Sequence, residues 1–497
     1  MTPYVLILMG CFSLAAKEAA TVRKPAVRMT TAKRIQTLLD TPAGKNARWG
    51  IHVVNLKSGR VLYELHANEQ FTPASNTKLF STALALERLG PGHRFTTTIR
   101  AAKAPDANGV IHGDLRMVGG GDPTLSGRAY PYQKDADRVS PLEPVEQLAE
   151  QLIQRGVREV RGDIVGDDRL YVWAPYPEGW TVDDSLWDYG APVSALPFND
   201  NTFTLALRPA PDAGALSVLS LNPPFLPFTV DNRVTTSANG TKVQLDRAPG
   251  SRNVRLYGSV ALSSRGVRQT LAVDDPALYA AYVLRDVLTR RGIRVEGHPV
   301  ALHRWTRDEP FDPLSGVELA RRSSQPLTEV ARVVNKVSQN LHAEILLREV
   351  ARVKRKEPTR EAGLKELEAF LTEIDAAPKS FHFEDGSGLS RRTLIAPATL
   401  TRLLAHMDAR PYSADWDSLL PVAGEDGTLA LRFEKAKAAS AIHAKTGTLA
   451  TASALSGYVT TKRGARLAFS IIANNHTLPS SEIRKVVDRI ALALVED

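Results

Sequence analysis

A serine and a lysine three residues apart, Ser75 and Lys78, lie in the stretch FTPASNTKLF at residues 71–80. An apolar run follows directly, so we expect a helix to begin near the serine and to place both side chains on one face. A serine hydroxyl becomes an effective nucleophile when a base within hydrogen-bond reach takes its proton. A lysine serves as that base when burial or neighbouring cations lower its pKa. Taken alone, the pair more often describes a helix-capping serine beside a solvated lysine.

A second motif, Lys-Thr-Gly at residues 445–447, lies within a strand-like run and is followed by Thr448. Lys445 could bind a substrate carboxylate, and Gly447 would let a substrate backbone approach the strand closely. A backbone N–H just beyond Gly447 could complete an oxyanion hole with the N–H of Ser75. Taken alone, the motif describes an exposed turn.

A third motif, Ser-Gln-Asn at residues 338–340, separates two runs with helical periodicity. The same Ser-x-Asn pattern also begins at residues 220, 237 and 251, in loop-rich parts of the middle of the chain. At residue 338 the pattern would instead form a loop between helices. We expect that loop to face the helix that begins at Ser75.

The chain order of Ser-x-x-Lys, Ser-x-Asn and Lys-Thr-Gly is that of β-lactamases and penicillin-binding proteins, and the sequence resembles this superfamily of serine acyl-transfer enzymes. Residues 75 and 338 are 263 positions apart. So large an insertion between the first two motifs is similar to the low-molecular-mass class C penicillin-binding proteins, the D-alanyl-D-alanine carboxypeptidase/endopeptidase family. Four further stretches are similar to segments expected in that family: VGGGDPTLS (118–126), GWTVDDSLWDYGAPVSAL (179–196), FEDGSGLSRR (383–392) and PVAGEDGTL (421–429).

The resemblance implies a reaction through an acyl-enzyme and no cofactor. A D-Ala-D-Ala-type peptide would acylate Ser75, the leaving group would depart, and water would hydrolyse the acyl-enzyme. By the same resemblance, Lys78 is the general base and Ser338 relays a proton toward the leaving nitrogen.

The resemblance also implies residues that bind the substrate. Asn340 would position the substrate amide and Lys78, and Lys445 with Thr446 would bind the terminal carboxylate. The backbone N–H of Thr448 would share the oxyanion hole with that of Ser75. Asp184 matches a position expected to contact the amino end of the stem peptide, and an ordinary turn aspartate is the alternative.

The elements that must position these residues indicate an α+β fold. WGIHVVNL and RVLYELH, joined by Lys57-Ser58-Gly59, predict a hairpin. SAIHAKTGTL, SALSGYVTT and ARLAFSIIANN predict three antiparallel strands near the C-terminus, followed by an amphipathic helix. One sheet formed by both termini, with a helical subdomain between about residues 325 and 376, is also what the resemblance to penicillin-recognising serine transpeptidases and β-lactamases implies.

The middle of the chain differs in character. From about residue 99 to 318, short strand-like runs alternate with turn dipeptides such as Asn239-Gly240. We therefore predict a serine DD-peptidase domain over residues 28–98 and 319–497. Residues 99–318 are predicted to be a β-rich insert of two subdomains, a length suited to one or two domains.

Residues 1–16 are interpreted as a signal peptide. The apolar run VLILMGCFSLAA is too short to span a bilayer and suits the central region of such a signal, although MTPY before it lacks Lys and Arg. The chain's only cysteine, Cys11, lies in this run, so a lipoprotein signal is the alternative. In either case we expect a periplasmic or secreted protein.

The 497-residue chain has a formal net charge of +9, which fits an anionic partner without identifying one. The sequence lacks nucleic-acid-binding modules and the His-Glu-x-x-His metal motif, so neither nucleic acid nor a metal is predicted.

The expected partners are peptidoglycan stem peptides, with β-lactam antibiotics as covalent inhibitors. A β-lactamase and a catalytically silent wall-binding scaffold are the alternatives. The large insert argues against the first, and the complete motif set argues against the second.

Overall fold

The computed structural model describes residues 30–136, 139–224, 227–433, 436 and 439–497. The predicted signal peptide and Cys11 lie outside the described residues. No helix within the described ranges has both the length and the apolar character that crossing a bilayer requires. The helices are α1 (Thr31–Leu39), α2 (Pro42–Lys45), α3 (Thr77–Leu89), α4 (Glu143–Gln154), α5 (Pro276–Arg290), α6 (Leu327–Lys336), α7 (Asn340–Val350), α8 (Arg360–Glu373), α9 (Pro397–Asp408), α10 (Ser413–Ser418) and α11 (Ser480–Val495).

Strands alternate with these helices along the chain. They are β1 (Arg48–Asn55), β2 (Val61–Leu65), β3 (Thr96–Ala101), β4 (Val110–Ile111), β5 (Leu115–Val118), β6 (Glu159–Val160), β7 (Ile164–Val172), β8 (Thr202–Arg208), β9 (Val218–Asn222), β10 (Thr229–Ser237), β11 (Lys242–Asp246), β12 (Asn253–Ala261), β13 (Val267–Ala272), β14 (Arg294–Val295), β15 (Pro299–Arg304), β16 (Val317–Ser323), β17 (Phe381–His382), β18 (Leu394–Ile395), β19 (Ile442–Leu449), β20 (Ala452–Thr460) and β21 (Arg466–Asn474). Two 3₁₀ turns matter for the site, Ala74–Asn76 and Val182–Leu186.

Both ends of the chain build the central antiparallel sheet, whose strand order is β19-β20-β21-β1-β2. Lys445 lies opposite Ser456 across β19 and β20, and Ile51 lies opposite Ile471 across β1 and β21. Strands β20 and β21 are almost wholly buried because helices cover both faces of the sheet. Helices α1 and α11 cover one face and α9 covers the other. The predicted sheet of both termini is confirmed.

Helix α3 lies at the centre of a helical cluster on the same face as α9. Every residue from Thr77 to Leu86 is buried, because α6, α7 and α8 pack around the helix. Burial of one large apolar side chain such as Phe80 contributes roughly 1.5–3 kcal/mol. The helix ends at Gly90, whose φ of 84° suits a residue without a Cβ. The start of α3 is therefore held on all sides.

Residues between β3 and β16 form further sheets around a second hydrophobic core. The largest has the order β15-β7-β5-β3-β16, and smaller sheets have the orders β14-β6-β4, β13-β8-β9 and β10-β12-β11. The predicted limits of the insert, residues 99 and 318, fall within β3 and β16, which pair with each other. The β-rich character of the insert is confirmed, and its division into subdomains stays a prediction.

Candidate active site

Ser75 lies on the 3₁₀ turn that leads into α3, and Lys78 lies in the first turn of that helix. Nζ of Lys78 is 2.9 Å from Oγ of Ser75 and 2.6 Å from the carbonyl oxygen of Ser387. Lys78 is fully buried, whereas Ser75 is half-buried. The capping position of α3 is occupied by Asn76. The capping alternative for Ser75 is therefore wrong, because its hydroxyl contacts the lysine instead.

Burial lowers the pKa of Lys78 to about 7, and the negative charges of Asp385 and Glu344 oppose that shift in part. A lysine with this pKa is neutral in a large fraction of molecules near neutral pH, so its nitrogen can accept a proton. A second lysine, Lys445, is also fully buried. Burial, and then the charge of Lys78, lower the pKa of Lys445 well below its usual range.

A tight loop holds the carbonyl group of Ser387 against Lys78. The carboxylate of Asp385 accepts from the hydroxyl of Ser387 at 2.8 Å and from the backbone N–H of Gly388 at 3.0 Å. Gly388 has a φ of 77°, and a Cβ there would lie 1.9 Å from the carbonyl oxygen of Ala74. Only glycine fits at this position. This stretch belongs to the segment FEDGSGLSRR that carries part of the family resemblance, but no local pattern in it predicts a contact with Lys78.

Ser338 lies between α6 and α7 in a left-handed backbone conformation, with a φ of 62°. Its Oγ accepts a hydrogen bond from Nζ of Lys445 at 2.9 Å, and the same ammonium group donates to the carbonyl oxygen of Thr446 at 2.9 Å. A left-handed conformation costs roughly 1–2 kcal/mol in a residue with a side chain. The structure thus brings Ser338 and Lys445 together, a contact that the sequence did not predict.

Asn340 is the first residue of α7 and is buried. Its Nδ2 donates to the carbonyl oxygen of Tyr189 at 2.7 Å, so the side chain joins the helix to the 3₁₀ region of the insert. This partner was not anticipated from the sequence. The predicted role of Asn340 toward Lys78 and the substrate amide stays a prediction.

The Lys-Thr-Gly motif lies on β19, as predicted. Oγ1 of Thr446 is 2.8 Å from Oγ1 of Thr428, and Thr448 is exposed. A Cβ on Gly447 would lie 2.5 Å from the carbonyl oxygen of Pro73. Within the protein, the backbone that approaches Gly447 closely is the segment just before Ser75, and the approach of a substrate backbone stays a prediction.

A cleft of about 450 Å³ opens above the serine. The described residues include no group of three or more His, Cys, Asp or Glu side chains that could hold a metal ion. The cleft is lined by the predicted residues Ser75, Ser338, Asn340, Thr448 and Asp184, together with others that include Tyr189, Leu389 and Arg391.

Asp184 is buried in the 3₁₀ turn Val182–Leu186. Its Oδ2 accepts from the backbone N–H of Thr181 at 2.8 Å and from the guanidinium group of Arg391 at 2.9 Å. The alternative of a turn aspartate thus describes its local bonding correctly. Because Asp184 also lines the cleft, the predicted contact with a substrate remains open to test. Arg391 had no role assigned from the sequence.

A buried cluster supports α7 two residues beyond Asn340. Nε2 of His342 is 3.0 Å from one carboxylate oxygen of Asp200, and the guanidinium group of Arg128 donates to the other at 2.8 Å. Asp200 and Arg128 belong to the insert, so the cluster ties the insert to the helix. The cluster could not be predicted from the sequence, because no local pattern relates three residues so far apart.

A serine that is hydrogen-bonded to a buried lysine at the start of a helix, beside an antiparallel sheet, is typical of the penicillin-recognising serine hydrolases. The family model of the D-Ala-D-Ala carboxypeptidase 3 (S13) family matches residues 31–494. The chain belongs to this family, so the resemblance predicted from the motifs is confirmed.

Known relatives and structures agree. The chain is 34% identical over 475 residues to a D-alanyl-D-alanine carboxypeptidase of an Actinomadura species, covering 93% of this chain and 84% of the relative. It is 25% identical over 443 residues to the D-alanyl-D-alanine carboxypeptidase DacB of Haemophilus influenzae, covering 88% of this chain and 87% of the relative. The crystal structure of penicillin binding protein 4 of Haemophilus influenzae shares the fold, with a TM-score of 0.78 at 23% identity over 93% of this chain and 98% of that one. A structure of the same protein complexed with a β-lactam has a TM-score of 0.73 at 22% identity, with the same coverage.

Proposed function

We propose that this serine hydrolase is a D-Ala-D-Ala carboxypeptidase and DD-endopeptidase that acts on peptidoglycan stem peptides through an acyl-enzyme on Ser75. The observation that carries the proposal is the 2.9 Å contact between Oγ of Ser75 and Nζ of Lys78, a fully buried lysine with a pKa of about 7. Membership of the carboxypeptidase family supports the reaction. The endopeptidase reaction would use the same acyl-enzyme with a cross-linked peptide as the leaving group.

Acylation begins when neutral Lys78 accepts the proton of Ser75 and Oγ attacks the carbonyl carbon of the penultimate D-alanine. The charge that develops on the carbonyl oxygen is stabilised by the backbone N–H groups of Ser75 and Thr448. The position of Ser75 just before α3 supports this assignment, because the positive end of a helix dipole favours negative charge.

The tetrahedral intermediate collapses when the leaving nitrogen receives a proton. Ser338 relays to it the proton that Lys78 took from Ser75, which leaves Lys78 neutral again, and the 2.9 Å contact between Oγ of Ser338 and Nζ of Lys445 supports the placing of this hydroxyl. Asn340 holds the substrate amide. Water then attacks the acyl-enzyme, with Lys78 again accepting a proton, and the stem peptide is released without its terminal residue.

Two groups of residues would recognise the ends of the substrate. Lys445 and Thr446 bind the terminal carboxylate, supported by the hydroxyl of Thr428 at 2.8 Å from that of Thr446. Asp184 contacts the amino end of the stem peptide. Both bonds that Asp184 makes to Thr181 and Arg391 fall on Oδ2, so Oδ1 is assigned to the substrate.

The proposed substrate implies where the protein acts in the cell and which compounds inhibit it. Peptidoglycan lies outside the cytoplasmic membrane, so the protein would act in the periplasm or after secretion, through the signal predicted at residues 1–16. β-Lactams would acylate Ser75 and remain bound, which the β-lactam complex of penicillin binding protein 4 from Haemophilus influenzae supports.

Covalent labelling with a fluorescent penicillin tests the proposal. Wild type should carry one stable label per molecule, and Ser75→Ala should carry none, because the label is an ester on that hydroxyl. Ser58→Ala is the matched control, since Ser58 is an exposed serine in the turn between β1 and β2. It should be labelled like wild type.

The other outcomes identify the alternatives. A label that forms and is lost within seconds, with hydrolysed penicillin accumulating, indicates a β-lactamase. An unlabelled wild type, together with no release of D-alanine from a stem pentapeptide, indicates a catalytically silent scaffold. Either result would overturn the proposed function.

A further inference from the structure

A second cavity, of about 490 Å³, lies on the far side of the turn that carries Asp184. Its walls include parts of residues 173–186 and residues 245–250, which form the end of β11 and the loop after it. Asp183 and Ser185 line this cavity, whereas Asp184 between them lines the catalytic cleft. A single 3₁₀ turn therefore separates the two spaces, and a substrate that continues past Asp184 can reach the second one.

Trp173 forms a rigid aromatic wall of this cavity. Its ring stacks on the imidazole of His303, with centroids 4.0 Å apart and planes at 30°. The imidazole is fixed by Asp168 at 2.9 Å and Asp275 at 3.4 Å. Although burial acts in the opposite direction, these two bonds raise the pKa of His303 to about 10. The imidazole is therefore charged at neutral pH, and stacking on it holds the indole in place.

Tyr176 adds an aromatic face that solvent can reach. The residue is 42% exposed, yet burial raises the pKa of its phenol. The residue lines the cavity, and its exposed surface is open to a ligand. The charges of Arg247 and Asp274, which also line the cavity, act on the phenol hydroxyl. The ring is left available for a ligand to stack on.

Polar groups complete the cavity and join it to the cleft. Asp183 and Asp246 are exposed carboxylates on its walls. Arg247 donates to the carbonyl oxygen of Ala272 at 2.6 Å and to that of Ser185 at 3.1 Å. Through the second bond, Arg247 fastens the loop after β11 to the turn between the two spaces. The relative position of cavity and cleft is therefore fixed.

Aromatic faces beside carboxylates suit a sugar ring, which offers apolar C–H faces for stacking and hydroxyl groups that donate. We propose that this cavity binds an N-acetylated amino sugar of the glycan to which the stem peptide is attached. The inference rests on the proposed function, because the sugar would arrive as part of the same substrate.

The dimensions agree with this assignment. The volume falls within the range of about 300–1,000 Å³ that is usual for small-molecule sites. An extended peptide advances at most about 3.3–3.6 Å per residue, and a helical turn with its side chains is about 10–12 Å across. Because the glycan is joined to the stem peptide at its amino end, a peptide whose amino end lies at Asp184 places the first sugar beside this turn.

The test compares two substrates, a stem pentapeptide and the same pentapeptide joined to its disaccharide. Wild type should have a kcat/KM higher for the joined substrate by a factor on the order of ten, mainly through a lower KM. Tyr176→Ala should lose most of that preference and keep the wild-type kcat/KM for the free pentapeptide. Tyr257→Ala is the matched control, because Tyr257 is similarly exposed, at 44%, and lies on β12 outside the cavity walls.

Equal kcat/KM for the two substrates in wild type, or an equal loss on both in Tyr176→Ala, would overturn the proposal. So would a preference for a pentapeptide extended by a second peptide strand in place of the disaccharide. Failure of the proposed function looks different, since neither substrate would then be hydrolysed and no penicillin label would form.

Titration with the peptide-free disaccharide, followed by tryptophan fluorescence, tests the cavity without catalysis. A saturating change is expected in wild type, and a flat response would overturn the proposal.

Discussion

Burial and two nearby carboxylates act in opposite directions on the pKa of the proposed base, Lys78. Burial is the larger influence, and Glu344 and Asp385 oppose it through their charge. Glu344 is itself fully buried and accepts from the backbone N–H of Gly386 at 2.8 Å. It also pairs with Arg348 at 3.1 Å. This one carboxylate therefore both fixes the loop beside the lysine and adjusts the pKa of the lysine.

We predict that acylation by penicillin accelerates as the pH rises through about 7, because Lys78 must be neutral to accept the serine proton. Glu344→Gln removes a negative charge near the lysine and so lowers its pKa further. The rise in rate should then occur at lower pH. Glutamine keeps an oxygen that can accept from Gly386. Stopped-flow measurement of the second-order acylation rate against pH checks both statements.

Glu349→Gln is the matched control for this experiment. Glu349 lies on the same helix, is buried and pairs with Arg352 and His93, away from Lys78. Its pH profile should coincide with that of wild type. A Glu344→Gln profile that rises at the same or a higher pH would contradict the assignment of Lys78 as the base.

At the scale of single residues, the sequence predicts the motif side chains but not the groups that support them. Ser75 and Lys78 have a fixed local spacing that any helix would bring together. Ser387, whose carbonyl oxygen contacts Lys78, lies 309 residues further along the chain. A short loop rich in Gly and Ser is common in proteins, and only the tertiary fold determines which side chain it meets.

At the scale of elements, helix α7 is the part on which the two regions of the molecule converge. Its first residue, Asn340, bonds to Tyr189, and His342 bonds to Asp200. Both partners belong to the insert. A third residue on the helix, Glu344, contacts the loop beside the proposed base. The insert is thus in a position to determine where α7 begins.

The turn that presents Asp200 is unusual. Asn199, Asp200 and Asn201 have φ values of 49°, 57° and 56°, and three left-handed residues in a row are uncommon even for Asn and Asp, which tolerate this conformation better than other side chains. Side-chain bonds compensate in part, as Asn201 donates to the carbonyl oxygen of Pro192 at 2.7 Å. Strain of this kind persists where the surrounding structure requires it. Here it places a carboxylate against the buried His342.

Asp200→Ala should therefore both destabilise the protein and slow acylation. It removes the acceptor of His342 and Arg128, and breaking such a buried pair costs about 3–5 kcal/mol in the free energy of unfolding. In the folded fraction, kcat should fall more than KM rises, because the displaced start of α7 carries Asn340. Asp200→Asn keeps one acceptor oxygen, so its stability and its acylation rate should lie between those of wild type and Asp200→Ala. Urea unfolding and acylation kinetics measure these effects.

Asp231→Ala is the surface control for that comparison. Asp231 pairs with Arg233 at 3.0 Å where both side chains are exposed, so the free energy of unfolding should change by less than about 0.5 kcal/mol. If folded Asp200→Ala were acylated at the wild-type rate, the cluster would stabilise α7 without positioning it, and the prediction would be wrong.

Alternating patterns predicted the strands of the central sheet, but the pairing within the insert could not be predicted. The turn at Asn239-Gly240 is present, with Gly240 at a φ of 76°. Yet β10 and β11 on either side of it do not pair, because β12 lies between them, parallel to β10 and antiparallel to β11. Strands β4, β6 and β14 have two residues each, which is too short for a periodic signal.

The limits of the insert follow from strand pairing as well. Because β3 and β16 belong to one sheet, we propose limits at Phe95 and Ser324, where the N–H of Phe95 donates to Oγ of Ser324 at 2.9 Å. Composition shifts in the sequence fell a few residues inside these strands. Residue composition shows only roughly where the insert begins and ends. Its limits are set by the pairing of whole strands, which composition does not reveal.

At the scale of the whole molecule, the cleft is built by two regions with separate hydrophobic cores. Ser75 and Lys445 are held by α3 and the central sheet, whose core includes Phe80 and Tyr458. Asp184 lies in the turn next to Leu186 and Trp187, which pack on the core of the insert. Site geometry therefore depends on the contacts that join the two regions, including Tyr171 and Val193 of the insert, which pack in the first core. Recognition of the proposed substrate would be divided between the two regions.

The charge of the whole chain yields a further prediction. The chain has 63 Lys and Arg against 54 Asp and Glu, a net charge of +9. We expect it to bind an anionic bacterial cell wall by long-range attraction, and the bound fraction to fall as salt is added. The screening length is about 30 Å at 0.01 M salt and about 3 Å at 1 M. Co-sedimentation of Ser75→Ala with isolated wall over this range measures the effect without hydrolysis of the wall.

A parallel series with penicillin-acylated wild type separates the charged surface from the cleft. Binding through charge should persist when the cleft is blocked and should retain the same salt dependence. Binding through the cleft should disappear on acylation, whatever the salt. Wall binding that stays constant from 0.01 M to 1 M salt would contradict the electrostatic prediction, because only uncharged contacts are indifferent to screening.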